Sequence, residues 1–574
     1  MSAKLKLPIG IENFKEMRTE GYYYIDKTGL IKTLLENLGK VNLFTRPRRF
    51  GKTLNMSMLK YFLGKENDPA LFEGLEISRE SKLCQDYMGN FPVLSITLKG
   101  ATGENFKEAK TMLRRMIGNE AMKFQFLMHS DRLTETEHCH YKALINTDKT
   151  GAFTMSDELL KDSLHLLSQL LHKHYGQSVV MLIDEYDVPL DKACQSGYYA
   201  SMLELIRSLF GNAFKTNDNL NFAVLTGCLR ISKESIFTGL NNFKVRTISD
   251  IRFAEYFGFT SDEVKELLCY YDMENKFDIF KEWYDGYRFG GMDIYCPWDV
   301  INQCDKFLES EDAQMEAHWE NSSSNAIIQD LLTTATETTK SQIEALISGE
   351  VVEKVLIPEL TYTDLSSEDE EVRQTYLWSV LFSTGYLTDA DKPVNGVHRI
   401  VIPNREVSGI YEKRIRSWFK MKIVSDTSRW KKFCEAVKHG EAAEAERLFN
   451  EFMAESISIR DTYVRKEMKE NFYHGMLLGL LRAEGSWSVR SNTESGGGYT
   501  DIMLEVPSAK TGCVIEVKYA ENGQYDQACA KVMAQIENGG YAEILRQDGM
   551  LTIHKYGIAC YKKNCKIQYS LESA

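Results

Sequence analysis

A chain of 574 residues with 43% hydrophobic and 26% charged content is too long for one hydrophobic core and has the composition of an ordinary globular protein. Its 69 basic and 82 acidic residues leave a net charge of −13, which argues against a surface coated in positive field but leaves room for a local nucleic-acid groove. No apolar run approaches the ~18 residues of a membrane span. MSAKLKLPIGIENF lacks the apolar core of a signal peptide, and the 12 cysteines contain no C-x-x-C pair. The expectation is a cytoplasmic protein with reduced thiols and no membrane partner.

From residue 41 short apolar runs alternate with helical stretches. VNLFTR (41–46), VLSITL (93–98), VVMLID (179–184), NFAVLTG (221–227) and VRTIS (245–249) are nearly continuous in apolar character, as strands buried on both faces of a parallel sheet are. Leu54, Met58 and Phe62 repeat on one helical face, and Gly64 stops that helix. The alternation predicts an α/β sandwich, a P-loop parallel sheet flanked by helices.

RPRRFGKT (46–53) falls after the first strand and opens a helix, where backbone N–H groups and the helix dipole hold phosphate. Arg46, Arg48, Arg49, Phe50, Gly51, Lys52 and Thr53 are therefore candidate ATP-binding residues, with Lys52 on the β- and γ-phosphates and Thr53 on Mg²⁺. Arg46 stands where the usual pattern has glycine, and Pro47 removes one N–H from the cradle. Asp184, at a strand tip, is placed for the magnesium shell, and Glu185 to polarise the attacking water. Thr226 ends the next strand as a candidate sensor of the terminal phosphate. Arg230 reads either as a charge-stabilising arginine or as a strand-closing residue paired with an acid.

YYYIDKTGLI, TRPRRFGKT, LIDEYD, LTGCLRISKESIFTGLNN and WYDGYRFGG, in that order, resemble a bacterial AAA-ATPase-like family found upstream of a PD-(D/E)XK nuclease domain. The resemblance covers nearly the whole chain. It implies an ATPase fold of the AAA-like, additional-strand kind, and an arginine at the first loop position belongs to that family's pattern.

Residues 256–430 read as a mostly helical or winged-helix-like lid or connecting region. Trp283, Tyr284, Tyr287, Arg288 and Phe289 form either a packed turn hinged at glycines or a base-stacking surface. Leu377 to Thr388 and Arg399 to Pro403 suggest a helix plus a hairpin, and SSEDEE (366–371) a solvated loop. His138-Cys139-His140 lacks a second ligand pair at zinc spacing.

After residue 430 a long helix precedes two apolar strands, TDIMLEV and GCVIEVKYA, joined by PSAKTG. Alternation puts Glu516 and Lys518 on one face, and the hairpin sets Asp501 opposite Glu516. Two carboxylates and a lysine so arranged suit metal-assisted phosphodiester hydrolysis: Asp501 and Glu516 for Mg²⁺ or Mn²⁺, Lys518 for the developing charge. Glu470, one turn before His474, is a further candidate metal ligand, and Gln535 a candidate for orienting substrate. Asp501, Glu516 and Lys518 match the D…E-x-K signature of the PD-(D/E)XK fold, with Thr500 where the name has proline; the bland alternative is a solvated strand face.

Three domains are expected: 1–255 an AAA-like P-loop ATPase, 256–430 the connecting region, and 431–574 a restriction-endonuclease-like α/β domain. The leading functional expectation is an ATP-regulated, metal-dependent nuclease acting on DNA, a homo-oligomer if Arg230 works in trans. The alternative is a nucleotide-dependent switch or scaffold whose nuclease-like domain binds nucleic acid or a partner without cleaving. An unfolding motor ranks last, for want of a pore loop.

Overall fold

The computed structural model describes residues 4–231, 243–319, 336–411 except 348, 358 and 360–368, 427–456, and 466–573 except 483, 496–497 and 539–540. SKESIFTGLNN (232–242), residues 366–368 of the acidic run and residues 413–426 of the basic stretch before Lys432 lie outside the described residues. The chain divides into two compact units, Met1–Ile327 with Glu353–Glu406, and Ile328–Val352 with Val407–Ala574.

The first unit is built on β1 (Val41–Thr45), β2 (Val93–Thr97), β3 (Val179–Asp184), β4 (Leu220–Gly227) and β5 (Phe243–Arg246), all parallel, in the order β2-β3-β4-β1-β5. β1 and β3 are buried at every position, which accounts for their unbroken apolar character. β4 lies between β1 and β3, the additional strand expected of this class. The fifth strand sits two residues earlier than VRTIS suggests. It ends at Arg246 because Asp250 accepts from the Thr247 N–H at 2.6 Å and turns the chain.

The segment beyond residue 256 is less helical than its pattern suggests. It carries β6 (Phe259–Thr260), β7 (Tyr287–Phe289) and β8 (Met292–Tyr295) in one small antiparallel sheet. β9 (Val352–Val355), β10 (Thr388–Asp389) and β11 (Val397–Val401) form another. The helix Glu370–Ser383 leading into the β10–β11 hairpin is the expected helix-plus-hairpin. Tyr284, Tyr287 and Phe289 are buried, so WYDGYRFGG is a packed turn and those rings form no open stacking surface.

In the second unit, β12 (Ser488–Ser495), β13 (Gly498–Val506), β14 (Thr511–Tyr519), β15 (Thr552–Tyr561) and β16 (Asn564–Ser573) lie in chain order, with only β14 and β15 parallel. Helices Thr427–His439, Ala442–Ser456 and Lys466–Arg482 cover one face, through Cys513 Sγ to the Val437 carbonyl, Asn450 to the Cys565 carbonyl and His474 to Ser491. Helices Tyr525–Asn538 and Tyr541–Gln547 cover the other, where Val532, Ile536 and Leu545 meet Met503, Val514 and Ile553.

Gly286 has φ +93°, and a Cβ there would lie 2.0 Å from the Pro403 carbonyl oxygen. Both backbone strain and a clash with main chain oppose any side chain. Gly286→Ala is expected to destabilise the first unit by about 2–4 kcal/mol, read as a lowered thermal midpoint by circular dichroism; an unchanged midpoint would contradict this close approach.

Candidate functional site

The loop after β1 turns through Arg49 at φ 70° and Gly51 at φ 77°, and Gly51 caps the helix Lys52–Leu63. Left-handed backbone at these two points aims the first N–H groups of that helix outward, as an anion site requires. Thr53 Oγ1 donates to Asp184 Oδ2 at 2.7 Å, and Thr226 Oγ1 donates to Asp184 Oδ1. The ends of β1, β3 and β4 thus converge on one carboxylate. Lys52 Nζ, nearly buried, donates to the Arg46 carbonyl at 2.9 Å and the Pro47 carbonyl at 2.7 Å. Glu185 follows at φ 54°; burial and then the neighbouring Asp184 push its carboxyl above the usual range.

Arg49, Gly51, Lys52, Thr53 and Glu185 open on a cleft of about 580 Å³, walled by Arg48 to Asn55, Lys99, Glu185, Tyr23 and Trp298 among others. That volume suits a nucleotide-sized ligand. Thr53, Asp184 and Thr226 supply only hard oxygen atoms, the donor set a divalent cation such as Mg²⁺ takes.

Two expected residues stand elsewhere. Arg46 is fully buried: its guanidinium donates to the Thr45 carbonyl at 2.8 Å and the Arg246 carbonyl at 2.9 Å, and lies over the rings of Phe257 and Phe289. Its side chain braces the loop from behind instead of reaching for phosphate. Arg230 is paired with Glu359, as the acid-paired reading has it. Phe50 is also buried, edge-on to Tyr287 at 4.9 Å, so its contribution to a ligand is its N–H.

Sequence reasoning passed over Tyr186 and Asp187. Asp187 Oδ2 accepts from the Cys228 and Leu229 N–H groups at 2.8 and 2.9 Å, while Tyr186 Oη donates to the Leu229 carbonyl at 2.7 Å. Together they fix the exit of β4 against the loop. The only local signal was the odd persistence of acids in LIDEYD.

In the second unit Ile502 pairs with Ile515, which sets the backbone positions of Asp501 and Glu516 opposite each other at the neighbouring step. The side chains of Asp501 and Glu470 lie outside what the structure describes. Glu516 is 3% exposed, and Gln535 Nε2 donates to its Oε2 at 3.1 Å. Lys518 stands two residues on, at the same side of β14. Gly557 pairs with Glu516 on β15, and a Cβ there would meet Met533 Sδ at 2.9 Å. The missing side chain is what lets the Gln535 helix lie so close. The helix carrying Glu470 packs on the opposite face, through His474 with Ser491 and Tyr473 with Tyr519. The structure therefore joins Glu516 with Gln535 and aligns Asp501, and leaves Glu470 on a different layer.

A nucleotide cleft on a parallel sheet with an inserted fourth strand, and a separate mixed sheet carrying D…E-x-K, define two known classes. Residues 8–237 match the family model described as predicted AAA-ATPase, AAA-ATPase-like, and residues 468–570 match that of the PD-(D/E)XK nuclease superfamily. The chain thus carries an AAA-ATPase-like domain followed by a PD-(D/E)XK nuclease superfamily domain. It is similar to an "uncharacterized protein in vnfD 5'region" of Azotobacter chroococcum mcd 1, 27% identical over 413 residues that span 71% of this chain and 69% of that protein. Among the described residues no helix is long and apolar enough to cross a membrane.

Removing Lys52 deletes the ammonium that donates to two of the loop's own carbonyls. Charge-assisted bonds to phosphate contribute roughly 1.5–3 kcal/mol each, so Lys52→Ala is expected to weaken nucleotide binding about 100-fold. Equilibrium dialysis checks this, and near-native affinity would remove Lys52 from the site.

Proposed function

We propose that this chain is an ATP-binding protein of the cytoplasm in which ATP regulates a metal-dependent nuclease acting on DNA. The observation that carries the nucleotide half is the convergence of Thr53 and Thr226 on Asp184, behind a cleft whose wall includes Thr53 and Glu185. Lys52, now bonded to two loop carbonyls, would exchange them for β- and γ-phosphate oxygens. Mg²⁺, when bound by Thr53 and Asp184, would neutralise charge on those oxygens. Glu185 would then take a proton from the attacking water, as that water bonds to the γ-phosphorus and the bridging oxygen leaves with the nucleoside diphosphate.

The nuclease half rests on Asp501 and Glu516 at opposed register positions, with Lys518 and Gln535 beside Glu516. Mg²⁺ or Mn²⁺ at the two carboxylates would lower the pKa of a bound water and polarise the phosphodiester. Lys518 would meet the charge that develops on the phosphate, and Gln535 would hold Glu516 in orientation. One observation favours a second reading, a nucleotide-dependent switch that holds nucleic acid or a partner without cutting. The Glu516 carboxylate is nearly buried and already accepts from Gln535, so it must be freed or reached from one side to hold a cation.

Purified full-length protein with Mn²⁺ is expected to nick plasmid DNA, and Asp501→Ala and Glu516→Ala each to abolish nicking. Lys52→Ala should change how nicking responds to ATP. Cleavage that persists in Asp501→Ala would sink the assignment, whereas Mn²⁺ binding by calorimetry without cleavage favours the switch. Because the Glu185 carboxyl is held above the usual range, first by burial, ATP hydrolysis should fall as pH drops through that raised value, where the protonated acid can accept nothing. Glu185→Gln should lose about 10²–10⁴ in kcat and flatten that acid limb, while still binding nucleotide.

A further inference from the structure

Of the 12 cysteines, two stand directly opposite each other. β15 and β16 are joined by Lys562 and Lys563, and in that hairpin Tyr561 pairs with Asn564 and Cys560 with Cys565. In an antiparallel pair, positions that exchange two main-chain hydrogen bonds alternate with positions that exchange none. Cys560 and Cys565 are of the second kind, for their main-chain groups are bonded elsewhere. The Cys565 N–H donates to Asn450 Oδ1 at 2.6 Å, and its carbonyl accepts from Asn450 Nδ2 at 3.1 Å. The Cys560 carbonyl accepts from the Ala520 N–H at 2.8 Å. Such positions bring the two Cα atoms to about 4.5 Å, inside the range of roughly 4.4–6.8 Å that a disulfide spans. Opposed residues also point to the same face, so the two sulfurs can bond without a shift of main chain.

The bland reading is a pair of small apolar side chains filling a core, since both are buried. Core filling does not require them to be opposed. A shared metal fits worse. Cys529, the third thiol that bears on them, packs with Ala559 on the other face of β15 and donates to the Gly557 and Lys566 carbonyls. Among the described residues no group of three His, Cys, Asp or Glu side chains is placed to hold a metal ion. Burial pushes the thiols of Cys560 and Cys565 well above the usual range, so each stays protonated and is slow to attack. Cys565 is the better placed to begin, on the last strand of the sheet and 5% exposed.

We infer that Cys560 and Cys565 form a reversible dithiol–disulfide site whose oxidant is a small-molecule disulfide of the glutathione kind. Cys565 gives up its proton, and its sulfur attacks the small disulfide, forming a mixed disulfide and releasing one small thiolate. Cys560 then gives up its proton and attacks Cys565 Sγ, and the second small thiolate leaves. Two electrons pass from the cysteine pair to the small disulfide, and the two protons end on the two small thiols. In the cytoplasm proposed above a disulfide is of the transient, redox-sensing kind. Buried thiols make this one answer to sustained oxidation and not to a brief pulse. The bond ties β16 to β15 at the end of the sheet where Lys518 stands, since Lys518 pairs with Ala559 and Tyr519 with Cys560.

The test is a peptide map of the full chain brought to equilibrium with a glutathione buffer, once folded and once in urea, then quenched in acid. Protein disulfide isomerase is added to the folded sample, and equilibrium is approached from both the reduced and the oxidised chain. Trypsin cuts after Lys555, Lys562, Lys563 and Lys566, so the oxidised pair joins the peptide 556–562 to the peptide 564–566. In the folded chain the ratio of linked to reduced pair should exceed that in urea by about 10-fold, because the fold holds the two sulfurs together and urea does not. Cys529→Ala should leave the link unchanged, and Cys565→Ala should abolish it and leave Cys560 a free thiol. The wild-type map needs no variant to fold. A folded wild-type chain that stays reduced, stops at the mixed disulfide, or is oxidised no further than in urea overturns the proposal, and so does a link that runs to Cys529.

Discussion

A guanidinium buried behind the phosphate loop fixes the shape of everything in front of it. Taking an arginine charge out of water is tolerated only where oriented dipoles replace its hydration. Arg46 has carbonyl oxygens from β1 and β5 and the faces of Phe257 and Phe289 for that purpose. Burial lowers its proton affinity to about 9, so the group remains a cation at neutral pH. Where a glycine would let the main chain hug a phosphate, this side chain ties β1 to β5 and to the rings beyond. The burden of curvature then falls on Arg49 and Gly51, the two loop positions with positive φ. Pro47 fits the same scheme, since the next contact outward is Gly385, where any Cβ would come within 3.0 Å of the proline ring. The departures from the glycine-rich pattern are thus one structural solution: a loop held from the core side by charge and rings, leaving its N–H groups and two outward arginines for the cleft.

How far this was legible depended on whether the deciding neighbours were local. Four of the five strands read to within a residue because strands buried on both faces are apolar without interruption, while the half-exposed fifth is offset by two; chain order and strand tips also bring Asp184, Thr53 and Thr226 together. Asp501 and Glu516 follow from a hairpin register, a short-range constraint. Arg46 was misjudged, although it lies two residues past Phe44 and so shares that face of β1. Both meet Phe257, and parity was the available signal. Asp187 gave no such signal, because its donors arrive from the far end of β4. The strands β12, β15 and β16 were not singled out either. SVRSNTES is polar at all but one position, and His554 and Lys555 interrupt β15, hiding a strand whose Lys555 is buried only because Glu537 and Glu572 pair with it.

Residues 256–327 and 353–406 of the connecting segment fall in the nucleotide unit, and buried charges there tie them to the phosphate loop. Asp299 and Glu406 are both fully buried. Burial and then the neighbouring Asp299 push the Glu406 carboxyl well above the usual range, and burial raises Asp299 as well, so the pair holds a proton between them at neutral pH. Two adjacent acids in a core are a poor route to stability, since the folded state must keep a proton the unfolded chain would release. What the pair does hold is position. Glu406 accepts from the Trp319 N–H at 2.6 Å, and Arg49 of the phosphate loop donates to the carbonyl just before it, at His318, while its charge bears on Asp299. Cys296, one turn from Asp299, approaches the Arg49 carbonyl. A phosphate that drew on the loop would therefore draw on this acid pair through Arg49, and His318, Trp319 and Glu406 would feel occupancy of the cleft through these contacts. The arginine that seemed from sequence to be one more ligand is better understood as the link between the nucleotide and the segment packed behind it.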